Sequence, residues 1–404
     1  MSKGNKGRIL IAGAGVAGLS AALELAQRGW QVQLFEKALT LSEVGAGLQL
    51  APNATRHLQR LGVIEKLDLS AVTPQALFLV DGRTARPLLP MALGDKALER
   101  WAYPYLVCHR ADLQAALLSA CAENPAIQLN LDAEILRHDL VDDQIEAEVR
   151  RGGRTEAVKG DYLLGCDGVW SVERRRAGHG DARFSGYIAW RTTIAASALP
   201  PSFTNALPQK KAVSAWLGKQ AHFIAYPVKG GDYFNFVAIT AGRNPGQVWS
   251  KTGQREQLQA IYRDWGLPVR DVILAAPEWT YWPLFEMADT HFVCKDRTIL
   301  LGDAAHAVTP FAAQGAAMAI EDAAALAHAL DAWDREAALA RFDAVRKARL
   351  AAVARRGQLN RFAYHATGIF ALGRNMLFAT RNVDSFMKDL DWLYGYDAIA
   401  ALNG

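Results

Sequence analysis

The feature that most constrains this chain is a glycine-anchored turn set between a strand and a helix near its start. Arg8-Ile9-Leu10-Ile11-Ala12 is a short apolar run suited to a strand covered on both faces. Gly13, Gly15 and Gly18 follow at once, with Val16 and Ala17 between them. In such a turn the first glycine permits the tight bend and the second lets the backbone approach a pyrophosphate. The third lets helix and strand pack closely. Leu19, Ala22, Leu23 and Ala26 then recur at helical spacing, and Gly29 suits the helix end. That helix aims its positive end at the turn. A second strand, Gln31 to Phe35, delivers Glu36 and Lys37 beside it, with Glu36 placed to accept a hydrogen bond from a ribose hydroxyl. Strand, glycines, helix, strand and acid in register predict a dinucleotide site, and these residues are candidate cofactor contacts.

Composition narrows the classes. A chain of 404 residues with 51% hydrophobic and 21% charged residues can bury a large core in two or three units. A net charge of +4 is too small to point to nucleic acid. Cys108, Cys121, Cys166 and Cys294 have no metal-ligand or disulfide spacing, which predicts no metal and fits a reducing cytoplasm. The first apolar run is occupied by the glycine turn, so no secretory leader is expected, and no apolar run is long enough to span a membrane.

The periodicity changes along the chain. Residues 1–72 read as βαβ followed by a helix over Asn53 to Leu61, and a helix is also expected from Asp112 to Ala122. Residues 73–103 hold Pro74, Pro87 and Pro90 and short apolar runs. From Tyr187 to Met287 the text is β-branched and aromatic with period-two alternation. After Arg297 it turns α/β again, and from Gly315 it is almost wholly helical. The expected fold is α/β: a Rossmann-like dinucleotide domain with a parallel sheet, interrupted by a mostly antiparallel β-sheet substrate domain. A helical segment ends the chain. The expected boundaries are 1–72, 104–180 and 288–345 for the first, 73–103 and 181–287 for the second, and 346–404 for the last.

A second turn carries more information. Thr298 to Leu301 reads as a buried strand, and Gly302-Asp303 lies just past its carboxyl end, where ligands bind in α/β sheets. Pro310 then precedes a helix expected to begin near Gln314, Gly315 and Ala316. Between the two turns stands Asp167-Gly168 with Ser171 and Arg174. These three motifs in this order resemble the group A FAD-dependent aromatic monooxygenases, the fold of p-hydroxybenzoate hydroxylase. The resemblance also runs through Gly45-Ala46-Gly47-Leu48-Gln49, His109-Arg110-Ala111-Asp112-Leu113 and Trp392-Leu393-Tyr394-Gly395-Tyr396-Asp397. It is strongest toward the salicylate, 3-hydroxybenzoate and 6-hydroxynicotinate hydroxylase branch.

The resemblance implies roles. Asp303 would hold the ribityl chain of FAD; the alternative is a cap on the next helix. Gly315 and Ala316 would bring a helix N-terminus to the flavin, where negative charge collects on reduction. Gly302, Gln314, Gly47, Leu48, Arg110 and Asp167 complete the implied cofactor set, although Asp167 also suits a purely structural turn. No second dinucleotide fingerprint is present, so NADH or NADPH would bind transiently.

His222 and Tyr226 are four apart on a predicted strand and therefore share a face. The resemblance makes them the pair that activates and holds a phenolic substrate; the alternative is a core pair. A histidine that titrates near neutrality suits the base. Arg191 stands on another strand and either pairs a substrate carboxylate or bonds within its own sheet. Gln49 and Pro310 complete the expected substrate side. Gln49 stands where the 6-hydroxynicotinate enzymes have histidine, which favours a benzenoid acid over a pyridine. The arginines from Arg346 to Arg361 read as the solvated face of a helix.

The implied activity uses NAD(P)H and O2 to hydroxylate a hydroxylated aromatic acid through a flavin C4a-hydroperoxide. A small aromatic acid, O2 and NAD(P)H are the expected partners, with no nucleic acid and no membrane, in a monomer or homodimer. The alternatives are a hydroxylase of an N-heteroaromatic such as 6-hydroxynicotinate, a flavin oxidase or halogenase, and a flavin-binding protein without turnover.

Overall fold

The protein, seen in a computed structural model, is described here over residues 6–41, 47–67, 70–244, 246 and 251–404. Gly45 and Ala46 of the expected cofactor motif lie outside the described residues.

Five parallel strands form the first sheet, in the spatial order Thr298–Leu300, Tyr162–Gly165, Arg8–Ala12, Gln31–Phe35 and Ile127–Asn130. The apolar run at the start is explained by cover on both faces. Ile9 and Ile11 pack into the large core with the helix Val16–Ala26. Leu10 and Ala12 turn the other way onto Ile135, Ile145 and Val149 of a three-stranded antiparallel sheet. Residues buried on both faces gain nothing from alternation, so the run is continuous.

A second sheet of eight strands is antiparallel except where Ala212–Gly218 pairs in parallel with Ala76–Asp81. Its two faces are covered differently. Trp190, Ala238, Phe223, Trp216 and Val80 lie in register across five strands and pack under Phe203, Leu258 and Val272 of three helices. Ala189, Ala215, Val213 and Val237 point the other way. The large rings fill the helix-covered side, each contributing roughly 1.5–3 kcal/mol by burial, while the other side faces an open cavity.

Two long helices complete the wall of that space. The helix Gly315–Ala332 begins where expected. The helix Arg335–His365 runs unbroken through the expected boundary at 345/346. The expected solvated arginine face is only half correct. Arg355 and Arg361 are exposed, but Arg346 and Arg349 are buried. Arg346 donates to Glu321 Oε2 at 2.7 Å and to Asp322 Oδ1 at 2.8 Å, while Arg349 donates to Glu321 Oε1 at 2.9 Å. The buried Glu321 and Asp322 leave the charges nowhere else to go, because an unpaired ion in that core would cost several kcal/mol.

Candidate active site

A cavity of about 820 Å³ separates the glycine turns from the eight-stranded sheet. Gly15, Val16, Ala17, Gly47, Leu48, Arg110, Asp303, Gly315 and Ala316 line one side, with Gln49, Pro310, Arg191, His222 and Tyr226 beyond them.

The first turn shows a division of labour among its glycines. Gly13 adopts φ +101°, and a Cβ there would stand 2.5 Å from the carbonyl oxygen of Cys166. A Cβ on Gly18 would stand 2.0 Å from the carbonyl oxygen of Gly13. Both glycines are demanded by the chain itself. Gly15 meets nothing within 4 Å. Its backbone is bare toward the cavity at the N-terminus of a helix, which fits a bound pyrophosphate. Glu36 closes this turn, accepting from the backbone N–H of Ala14 and of Ala38, each at 2.9 Å. Lys37 is exposed beside it.

The second turn is braced from behind. Gly302 takes φ +60° and its N–H donates to Asp322 Oδ2 at 3.1 Å. His306 Nε2 lies 2.6 Å from the same oxygen. Arg174, itself buried, donates to the carbonyls of Ala305 at 3.2 Å and Asp289 at 2.9 Å. Asp303 is left exposed in the first turn of a short helix, at the edge of the cavity. The bare Gly15 backbone, the Asp303 carboxylate and the open N-terminus at Gly315 fit an FAD.

Two further residues of the expected cofactor set have hydrogen-bond partners within the protein. Asp167 accepts from Ser171 Oγ at 2.5 Å and from the N–H of Val172 at 2.6 Å, so its carboxylate caps the helix Val172–Arg176. Its neighbour Gly168, at φ +80°, lines the cavity together with Val169 and Trp170. Gln314 is buried, and its Oε1 accepts from Asn53 at 2.9 Å.

On the sheet side, His222 pairs in register with Ile239, Ile224 with Val237 and Tyr226 with Asn235. Across the next strand Arg191 also pairs with Val237, so the guanidinium, imidazole and phenol share one face. Arg191 lies 5.3 Å from the centre of the Trp282 ring, a distance at which the ring face attracts the cation. Gln49 accepts from Tyr105 Oη at 2.6 Å. Gly47 donates its N–H to Asn235 Oδ1 at 2.8 Å.

The expectation that His222 titrates near neutrality is overturned. Burial pushes its pKa well below the usual value, and the neighbouring His365 pushes it further down. Burial also raises the Tyr226 phenol. The site as built holds both groups neutral.

Three residues were missed in the sequence. His365 Nε2 stands 2.9 Å from His222 Nδ1. Asp322 braces Gly302, and Tyr105 holds Gln49. Asp322 follows on the same helix as Gly315 and Ala316. Nothing in the sequence marks His365, which comes to the site from the end of a helix.

Residues 6–358 match the sequence profile of a family described as an FAD binding domain. The chain is 35% identical over 397 residues to 3-hydroxybenzoate 6-hydroxylase 1 of Aquipseudomonas alcaligenes, covering 97% of this chain and 98% of that protein. It is also 35% identical over 355 residues to 3-amino-4-hydroxybenzoate 2-monooxygenase of Streptomyces cremeus, covering 87% and 86% of the two. A solved salicylate hydroxylase substrate complex shares the fold, with TM-score 0.80 and 23% identity over 98% of this chain and 97% of that one. With a glycine turn that fits FAD and a match along almost its whole length, the chain belongs to the FAD-dependent aromatic-ring monooxygenases.

Proposed function

We propose that this protein hydroxylates a benzoic acid that already carries a ring hydroxyl, using FAD, reduced nicotinamide and O2. One juxtaposition carries the reading: Arg191, His222 and Tyr226 on one apolar sheet face, across the cavity from Asp303 and Gly315. Two relatives of equal identity, named for 3-hydroxybenzoate and 3-amino-4-hydroxybenzoate, support the substrate class. Residues 73–103 and 181–287 would form the substrate side, and the segments 1–72, 104–180 and 288–345 the FAD side.

Gly13 to Gly18 would receive the pyrophosphate, Glu36 and Lys37 the adenosine end, Arg110 a phosphate, and Asp303 the ribityl chain. Gly315 and Ala316 would approach the ring system, with the helix dipole favouring negative charge there. When bound, FAD supplies the transfer of electrons from the coenzyme and the activation of O2. The chain's own residues do the rest. Arg191 pairs the carboxylate and fixes the orientation of the ring. His222 takes the phenolic proton on Nε2, and Tyr226 donates a hydrogen bond to the oxygen. Loss of that proton makes the ring electron-rich at the carbon to be attacked. The apolar lining keeps water from the reacting centre.

The test is to follow NADH and NADPH oxidation by the FAD-loaded protein with salicylate, 3- and 4-hydroxybenzoate, 3-amino-4-hydroxybenzoate and 6-hydroxynicotinate, while assaying product and peroxide. Oxidation stimulated by a hydroxybenzoate, with a hydroxylated product, is expected. A clear preference for 6-hydroxynicotinate would transfer the reading to pyridines. Coenzyme oxidation indifferent to every acid would overturn it.

A further inference from the structure

We infer that His365 is a positioning residue for this reaction, acting through His222 as the outer half of a two-imidazole proton path. The inference rests on the proposed hydroxylation. Its ground is geometric. His222 lines the cavity from the strand Ala221–Val228, and its Nδ1 is taken up by His365 Nε2 at 2.9 Å. Nε2 is therefore the ring nitrogen of His222 left to meet a ligand.

Two neutral imidazoles at this distance share one proton along the line between them, and where it sits decides the chemistry. With the proton on His222 Nδ1, donated to His365, Nε2 is a lone pair and can act as a base. With the proton on His365 Nε2, the His222 Nε2 carries hydrogen and cannot. Burial depresses both rings, His365 to about 4, so neutrality of the resting pair agrees with the geometry. We assign the resting state to the first arrangement.

The step then balances without any further reactant. The phenolic O–H bond breaks as a bond to hydrogen forms at His222 Nε2. The Nδ1–H bond of His222 breaks as one forms at His365 Nε2. The charge comes to rest on His365, at the end of the helix Arg335–His365, and the proton returns through the same pair when the product oxygen is reprotonated.

The surroundings favour a passing charge over a resident one. No carboxylate among the described residues acts on either ring; the nearby cation Arg361 opposes protonation of His365. Tyr187 and Phe311 pack on His365 at 5.4 and 5.5 Å, and Tyr364 packs on His222 at 5.3 Å. Arg191 faces the neighbouring Tyr226. Tyr262 donates to the His222 carbonyl at 2.9 Å and fixes the strand, not the ring. A base oriented by a second histidine differs from one held by a carboxylate: the second ring can itself take the proton.

The experiment compares the FAD-loaded parent with His365→Gln and His365→Ala. We expect kcat at neutral pH to fall about ten- to a hundredfold, with KM within about twofold of the parent. The acid limb of the kcat profile should move to higher pH. Added imidazole should restore His365→Ala in part and leave His365→Gln unchanged. Unaltered kcat and pH profile in FAD-retaining variants would overturn the assignment. A second readout does not depend on turnover. In 15N-histidine spectra the parent should show His222 protonated at Nδ1, and this preference should be lost in His365→Gln. A His222 tautomer indifferent to the substitution would overturn the pair. If the parent hydroxylates no acid, the proposed function fails, and the tautomer spectra still judge the pairing.

Discussion

Gly47 stands so close to Tyr226 that a Cβ built on it would lie 2.6 Å from the ring's Cε2 and 2.8 Å from its Oη. The glycine lies on the side of the cavity that carries the glycine turns and the tyrosine on the eight-stranded sheet opposite. A methyl group there cannot be absorbed by a flexible chain end, because the ring is buried and Gly47 is tied to Asn235. We expect Gly47→Ala to displace the phenol and weaken binding of the aromatic acid about tenfold, or about 1.4 kcal/mol. Titration of the flavin absorbance with the preferred acid checks this; unchanged affinity would show that Tyr226 does not touch it.

The glycines of the first turn should separate folding from cofactor binding. Gly18→Ala drives a methyl group into the Gly13 carbonyl and should destabilise the protein by roughly 1–3 kcal/mol. Gly15→Ala meets no protein atom, so its melting temperature without FAD should stay close to the parent's. Its affinity for FAD should nevertheless fall at least about tenfold, because the methyl group occupies the approach to the backbone. Thermal melts and FAD titration read the two effects independently.

Arg346 connects stability to the Gly302 turn. Replacing it with Met leaves Glu321 and Asp322 buried without their central cation, a loss of about 3–5 kcal/mol in comparable cases. Asp322 also holds Gly302, so FAD affinity should fall along with the denaturation midpoint. Loss of stability with full FAD affinity would show that the turn stands without this brace.

Glu173 gives the protein a pH dependence of its own. Burial raises its pKa from 4.5 to about 7, against the opposing pull of Arg176 and His138. The folded state therefore holds this proton more tightly than the unfolded chain. The associated stability is present below about pH 4.5 and is lost as pH rises through 7. Glu173→Gln keeps the shape without the ionisation. The denaturation midpoint of the parent should decline more between pH 5 and 8 than that of the variant. Parallel curves would refute the assignment.

Much of the site was legible because local rules fix it. The Gly13 to Gly18 turn, the Gly302-Asp303 turn and the helix starting at Gly315 each show as a pattern within a few residues, although distant chain also presses on Gly13, at Cys166, and on Gly302, at Ala17. The alternation around His222 and Tyr226 placed them on one face, since a strand has a period of two. The same alternation correctly sent Trp190 away from Arg191.

What failed was whatever depended on distant partners. The sequence could not show that Arg346 and Arg349 meet buried carboxylates, because charge in a helix looks solvated until its neighbour is known. Nor could it show that Gln314 turns to Asn53, 261 residues away along the chain. Local sequence determined the dinucleotide fold, the turn geometry and the sheet face that carries the polar trio. Tertiary structure alone decided that the histidine and tyrosine of that trio stand neutral, for burial and the meeting of His222 with His365 arise only when a helix end closes over the sheet.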